Sequence, residues 1–423
     1  MKLPFFFLAD TWWFGATSRM PFSVFKLLVK KRVKQGFSAV QIVIGIPPET
    51  EVRGFAFRKD WSLDKKYFEE ADKKIKYLVD NGLVPVIYGG WGHHIDVLGV
   101  EKVKSLWREI VARYSSYPVI WCLAGEIDMP NSHPVILSTF GKLSTGAVKD
   151  LMRFFSFGRA QDQNDNLRSR IKKWKEVGDY IHKIDPYKRQ ITAHVHRRTT
   201  ALDLLGGRKW LSINSIQSGH SKDSVAFMVN SIINNDNSKM PIINMEPWYE
   251  GILGNFGEYE QRYAFWVCLL SGAKGHSYGA HGIWQMSKKG ENFMGHWGDS
   301  YWKKSLKFRG AEQLGQSKKF LEKYEWRKLT ACFENINPHW TEGNFYYPFA
   351  AKIEDKHIFI YVPKVGGIGE IGVKDLKNTT YNVSLISPES LKTIKSFKIK
   401  GKNCIIPLAK TRNLDLLLLV SKQ

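Results

Sequence analysis

Residues 119–128 read VIWCLAGEID. Val119 to Leu123 run apolar without interruption, as in a strand covered on both faces, and the run ends in a small pair, Ala124-Gly125, followed by the carboxylate Glu126. The stretch before it, Val100 to Tyr114, has helical periodicity. A helix leading into a fully buried strand that stops at a carboxylate is the unit to look for elsewhere.

The pairing of an apolar run with a helical pattern occurs eight times, whether or not a carboxylate follows the run. The apolar runs are Pro4–Ala9, Ala39–Ile44, Val84–Tyr88, Val119–Leu123, Gln190–His194, Leu211–Ile216, Pro241–Met245 and Lys274–Tyr278. Helical patterns follow each: Phe22–Lys34, Asp64–Asp80, Val100–Tyr114, Leu167–Lys183, a short turn near Ala201–Leu205, Lys222–Asn234, Tyr259–Ser271 and Trp302–Lys323. Gly36 and Gly82 stand at C-cap positions, and Asp185-Pro186 stops the fourth helix. Strand and helix alternating eight times predict an α/β fold, a (β/α)8 barrel closed on itself. An insert from Ile127 to Asn166 interrupts the pattern and leaves the rim where barrel active sites lie. After about Asn335 the texture changes to short alternating runs separated by Gly, Pro, Asn and Lys-rich turns. They predict a small C-terminal all-β sandwich, with domains 1–335 and 336–423. The only Trp of that second domain is Trp340, which favours sealing the barrel bottom over binding glycan.

The totals set outer limits. The chain has 423 residues, 43% hydrophobic and 24% charged, and no apolar run approaches the ~20 residues of a membrane-spanning helix. The start, MKLPFFFLADTWWFG, meets Asp10 and two Trp where a signal peptide would have small residues, so it reads as a buried strand. A cytoplasmic location and secretion after removal of an upstream leader both fit. Cys122, Cys268, Cys332 and Cys404 lie far apart, with neither a disulfide framework nor zinc spacing. A formal charge of +23 invites a polyanion, yet much of it is Lys along helices, including Lys30, Lys31, Lys73 and Lys74, which read as solvated faces. No helix, ribbon or stacking module supports nucleic-acid binding.

In such a barrel the chemistry belongs just after each strand. Those positions hold Asp10, Trp12, Trp13, Trp91, His93, Glu126, His194, Gln217, His220, Glu246, Tyr249, Glu250, Tyr278, His281 and Trp284. Flat rings cover the C–H faces of a sugar, while amides and carboxylates bond its hydroxyls, so the rim predicts a carbohydrate substrate. Glycosidic hydrolysis with retention needs one protonated and one ionised carboxyl across the anomeric carbon. Glu126 is assigned as acid/base and Glu246 as nucleophile; Asp128 and Glu250 are rivals that bind or orient. Each Glu could instead cap a helix or pair with an Arg. His194-Val195-His196 raises a competing metal-dependent hydrolase that would draft His93, His220, His276 and Asp10, but no metal or cofactor is expected. A binding-only barrel would keep the rings and lose a carboxylate, and both are present.

The motifs PFFFLADTWW, KKRVKQGFSAVQ, YPVIWCLAGE, SINSIQSGHS, PIINMEPWYEG and RYAFWVCLLSGAKGHSYGAHGIW resemble, in order and spacing, those of the apiosidase-like glycoside hydrolases. The resemblance runs through nearly the whole chain. It implies a retaining hydrolase with the acid/base after strand four, the nucleophile after strand seven, and a C-terminal β-domain of the type named for collagen binding. Where the family usually has Gly-Asp after strand four, this chain has Gly125-Glu126, one methylene longer, which puts specificity for apiose in question. Arg153, Arg159, Arg168, Arg170, Lys172 and Lys173 near the insert would suit recruitment of an anionic glycan.

Overall fold

A computed structural model describes residues 5–51, 54–129, 160–196, 198–221, 224–408 and 414–423. Eight parallel strands form the barrel: β1 (Phe7–Trp12), β2 (Ala39–Val43), β3 (Val84–Tyr88), β4 (Ile120–Cys122), β5 (Gln190–Thr192), β6 (Asn214–Gln217), β7 (Ile242–Glu246) and β8 (Gly275–Tyr278). Their order is β5-β4-β3-β2-β1-β8-β7-β6, a nearly closed ring. The seam between β5 and β6 has a single bridge, Ile191 to Leu211, instead of a ladder. Hydroxyls complete it: Thr192 Oγ1 donates to the Ile213 carbonyl at 2.9 Å and Ser215 Oγ to that of Ala193. This is why regular pairing in the expected run Leu211–Ile216 begins only at Asn214.

The outer ring is α1 (Phe22–Gln35), α2 (Lys65–Asp80), α3 (His94–Tyr114), α4 (Ala160–Ile184), α5 (Ala201–Leu205), α6 (Ser224–Asn234), α7 (Glu258–Leu270), α8 (Trp302–Ser305) and α9 (Gly310–Leu321). Gly36 ends α1 at φ 94°, a left-handed conformation that glycine adopts without Cβ strain. Three expectations are corrected. The insert is shorter than Ile127–Asn166, because α4 takes its last residues from Ala160 onward. The single helix expected over Trp302–Lys323 is two, and the Glu250 carboxylate accepts the first N–H of the second, from Gly310, at 3.1 and 3.2 Å. A carboxyl oxygen that accepts a helix's first, otherwise unpaired N–H caps it, so Glu250 fixes where α9 starts. Lys74 is not on a solvated face: it is buried, and its Nζ donates to the carbonyls of Gly15, Thr17 and Met20 at 2.8 to 2.9 Å. Burial pushes its pKa down to about 8. It ties α2 to the loop after β1.

Beyond the barrel lie β9 (Thr330–Ala331), β10 (Ile336–Asn337), β11 (Phe349–Ile353), β12 (His357–Val362), β13 (Glu370–Val373), β14 (Thr380–Ile386), β15 (Thr393–Lys400), β16 (Cys404–Pro407) and β17 (Leu416–Lys422). They form an antiparallel six-stranded sheet, β15-β14-β17-β12-β11-β9, and a three-stranded one, β10-β13-β16. Period-two alternation splits β17 between two cores. Leu416, Leu418 and Val420 face the smaller sheet with Ile371 and Ile406, whereas Leu417 and Leu419 join Phe359 and Tyr361 against the barrel. Hence its run of four leucines. The contact is with the outer helices, chiefly α7, so the sandwich braces the barrel's side where sealing of the bottom was expected. At its centre Arg262 of α7 reaches Asp415 through two bonds of 2.9 and 3.0 Å, and the Tyr361 hydroxyl donates to the same carboxylate at 3.0 Å. Both ions are buried. Asp415→Ala, which strands the guanidinium, is expected to cost about 3 to 5 kcal/mol in urea unfolding.

Candidate active site

Glu126 leaves β4 through a constrained turn. Its φ is 44°, a left-handed value uncommon for a residue with a side chain. Three contacts fix it: the Glu126 N–H donates to His194 Nδ1 at 3.1 Å, Trp91 Nε1 donates to Oε2 at 3.0 Å, and Gln217 Nε2 donates to Oε1 at 3.0 Å. Gly125 makes room, since a Cβ there would lie 2.6 Å from the Trp91 ring. The acid/base candidate is therefore held by groups from the ends of β3, β5 and β6.

Glu246 reaches the cavity through an irregularity in β7. Ile216 pairs with Asn244 but Gln217 pairs with Glu246, so Met245 is an extra residue, a β-bulge. Asn244 points outward, donating to Ser218 Oγ at 2.8 Å and approaching Met228 Sδ of α6 at 3.4 Å. Regular alternation would turn Glu246 the same way; the bulge turns it inward. There His194 Nε2 lies 3.4 Å from Oε2 and His220 Nε2 3.2 Å from Oε1. His194 Nδ1 accepts from Glu126 N–H and His220 Nδ1 from Tyr249 N–H, at 3.4 Å. With Nδ1 accepting in each ring, the Nε2 position carries the proton, and it is the ring nitrogen nearest Glu246. Against a burial penalty that would raise it, hydrogen bonding to the two histidines holds the Glu246 carboxyl below the usual range, so it is ionised at neutral pH.

Rings line the same space. Trp13 meets Tyr88, Trp91 and His194 with centroids 4.9, 5.2 and 6.0 Å apart. Tyr249 packs on His220 at 4.9 Å and near Trp284 at 6.5 Å. Burial and the Glu246 charge keep its phenol protonated. The structure thus gathers Trp13, Trp91, Glu126, His194, Gln217, His220, Glu246, Tyr249 and Trp284. Residues not singled out from sequence join them: Tyr88, whose hydroxyl donates to Gln41 Oε1 at 2.5 Å, and Trp297, whose ring is 6.1 Å from that of His220. Tyr88 ends its strand as Glu246 ends β7, which was a usable signal. Trp297 lies in a Gly-rich loop after β8, and only the fold brings it back. Its Nε1 donates to Glu49 Oε1 at 3.0 Å, clasping the loops after β2 and β8.

The other candidates lie elsewhere. Asp10 and Trp12 point out of the barrel: Asp10 Oδ2 accepts from Trp12 Nε1 and from Arg32 Nε of α1, each at 2.6 Å. Tyr278 faces the same outer layer and donates to Glu250 Oε2 at 2.6 Å. His281 is buried with Gln285 Nε2 2.9 Å from its Nδ1, and His93 meets His94 edge-on at 4.4 Å. Burial lowers His93 to about 4 and His276 to about 3. Asp128 accepts from the His196 N–H at 2.6 Å. Among the described residues no three His, Cys, Asp or Glu side chains converge as a metal requires, and Asp10, His93, His220 and His276 stay apart. Of the basic residues near the insert, Arg153 and Arg159 lie outside the described residues. Arg170 is buried on Asp96 at 2.7 Å with Lys173 at 3.1 Å, so both are engaged internally.

The profile of the family "Apiosidase-like, catalytic domain" matches residues 2–328. The chain belongs to that family. It is accordingly a glycoside hydrolase. No curated protein matches it in sequence. Among solved structures it is similar to one titled "Glycoside hydrolase", with TM-score 0.76 and 18% identity over 99% of this chain and 93% of the other. A glycoside hydrolase family 5 protein of Bacteroides vulgatus gives TM-score 0.76 and 18% identity over 99% and 90%. An endo-β-1,4-mannanase of Thermotoga petrophila gives 0.50 and 12% over 100% and 97%. At these identities the likeness is one of fold.

Glu250, the rival carboxylate, titrates unlike Glu246. Burial raises it from 4.5 to about 7, against the Tyr278 and Gly310 hydrogen bonds. Because the folded state holds this proton more tightly than the unfolded chain, Glu250 leaves stability intact below about pH 4.5 and erodes it as pH rises toward 7, by roughly 3 kcal/mol in all. Glu250→Gln, which stays neutral, is expected to flatten that part of the pH–stability curve measured by urea unfolding. An unchanged slope would show that Glu250 is ionised throughout.

Proposed function

We propose that this hydrolase cleaves its glycosidic bond with retention, Glu246 acting as nucleophile and Glu126 as acid/base. Two imidazole N–H groups converging on Glu246 are the observation that carries this reading. A carboxylate so held is ionised and fixed in direction, as attack on an anomeric carbon needs. Glu126 is tied to the same histidine through its backbone and keeps both carboxyl oxygens on the rim, where a protonated form reaches the leaving oxygen.

The steps follow. Glu246 Oε bonds to the anomeric carbon as the glycosidic bond breaks, and the departing oxygen takes the Glu126 proton. Glu126, now ionised, removes a proton from water, whose oxygen attacks the same carbon from the vacated side and releases Glu246. Trp13, Trp91 and Trp284 supply faces for the sugar ring, and Gln217 and His220 supply polar contacts. Recruitment of an acidic polymer would fall to Arg168 and Lys172, since Arg170 and Lys173 are bound to Asp96.

Plant and bacterial polysaccharides screened with NMR detection of the first-formed anomer test this directly: the released sugar should keep the configuration of the substrate. Glu126→Gln is expected to lower turnover roughly 10²- to 10⁴-fold. Glu246→Gln should abolish it without loss of fold, and azide should restore turnover to Glu246→Ala. Inversion of the anomer, or full activity in Glu246→Gln beside a dead Glu250→Gln, would overturn the assignment.

A further inference from the structure

The barrel and the sandwich do not meet flush. Beside α7, between the loop after β7 and the loops around residues 345 and 364, lies a hollow of about 160 Å³. By liquid volume that is room for roughly five waters. Its walls include Trp248, Tyr259, Tyr263 and Tyr346, and its charged members are Glu260 and Lys364. Trp248 and Tyr249 are neighbours that face opposite ways: Tyr249 lines the cleft against His220, whereas Trp248 stacks outward on Tyr263 at 5.7 Å and 8°. The hollow is thus a separate space behind the strand-seven loop.

Its polar groups are unevenly committed. The Tyr263 hydroxyl donates to the Phe345 carbonyl at 2.6 Å, and Trp248 Nε1 donates to the Ser221 carbonyl at 2.9 Å. The Tyr259 hydroxyl is buried and gives its proton to no protein acceptor; the nearby Lys364 backbone N–H can only donate to it. A buried donor left unspent costs free energy that a ligand acceptor would recover. The Lys364 ammonium stands 4.0 Å over the Tyr259 ring, with exposed Val365 beside it at the mouth. Flat rings, one free O–H, a carboxylate and an ammonium around a ring-sized space are what a sugar needs: faces for its C–H bonds, and both donors and acceptors for its hydroxyls.

We propose that this hollow is a second carbohydrate site that holds one sugar ring of the polymer while another part of it lies in the cleft. The inference rests on the glycosidase reading. Its use is local concentration: a chain anchored behind the strand-seven loop returns to the cleft as an intramolecular partner. Tyr259 donates to a ring or hydroxyl oxygen, Glu260 accepts from a hydroxyl, and Lys364 donates to a hydroxyl or to the carboxylate of a uronic residue.

The test uses the full chain carrying Glu246→Gln, soaked and titrated with D-glucose, D-galactose, D-galacturonic acid and oligosaccharides of the polymer found to be cleaved. Electron density for a sugar is expected in the hollow, and comparison of the neutral sugars with the uronic acid shows whether Lys364 meets a carboxylate. Tyr259→Phe and Lys364→Ala, placed in the otherwise native enzyme, should each raise KM for the polymer about tenfold or more. Both should leave kcat, and the cleavage of a small aryl glycoside, unchanged. Sugar in the cleft with the hollow empty, or an unchanged polymer KM in both variants, overturns this site and leaves the proposed mechanism standing. Sugar in neither place overturns both.

Discussion

Two imidazole N–H groups aimed at one buried carboxylate are the interaction on which the site depends. A lone buried carboxylate would take up a proton to escape desolvation. Glu246 instead stays charged because His194 and His220 each spend Nδ1 on a backbone amide and so keep their proton on the side facing it. One of those amides belongs to Glu126, the other to Tyr249. The same contacts that ionise Glu246 therefore fix the turn that carries Glu126 and the ring that covers the other side of Glu246. Glu126 at φ 44° is the strain such a junction tolerates.

The strand wall divides polar residues of similar appearance into two populations. Inside lie Thr11, Gln41, Tyr88, Gln217 and Glu246, linked by bonds such as Gln41 Nε2 to Thr11 Oγ1 at 2.9 Å. Outside, between strands and helices, lie Asp10, Arg32, Tyr278 and Glu250. That outer network is fully desolvated, joins β1, β8, α1 and the start of α9, and holds the frame on which the rim loops stand. Its carboxylates serve as helix cap and guanidinium partner, the structural roles that any rim carboxylate could have filled.

The basic excess is also divided by burial. Lys74, Arg32, Arg170 and Arg262 are internal, committed to carbonyls or to Asp10, Asp96 and Asp415. They stitch helices to strands and the sandwich to α7. Exposed Lys also stand on the edge strand β15, where they discourage pairing with another sheet.

The sequence by itself determined the barrel and the order of its parts, because eight apolar runs alternating with helical ones have one economical closed arrangement, and because β-sandwich strands announce themselves by period two. It also placed Glu126 and Glu246 at strand ends. Tertiary structure decided which rim residues face the cleft. Asp10 and Trp12 looked as suitable as Trp13, yet strand parity turns them outward. Glu246 by parity would have followed Asn244 outward, and one extra residue, Met245, turns it in. A bulge leaves no trace in composition or spacing, and a clasp such as Glu49 with Trp297 joins residues that only closure of the ring makes neighbours. Side-chain direction is set by the partner strand's register, which a single strand's sequence does not contain.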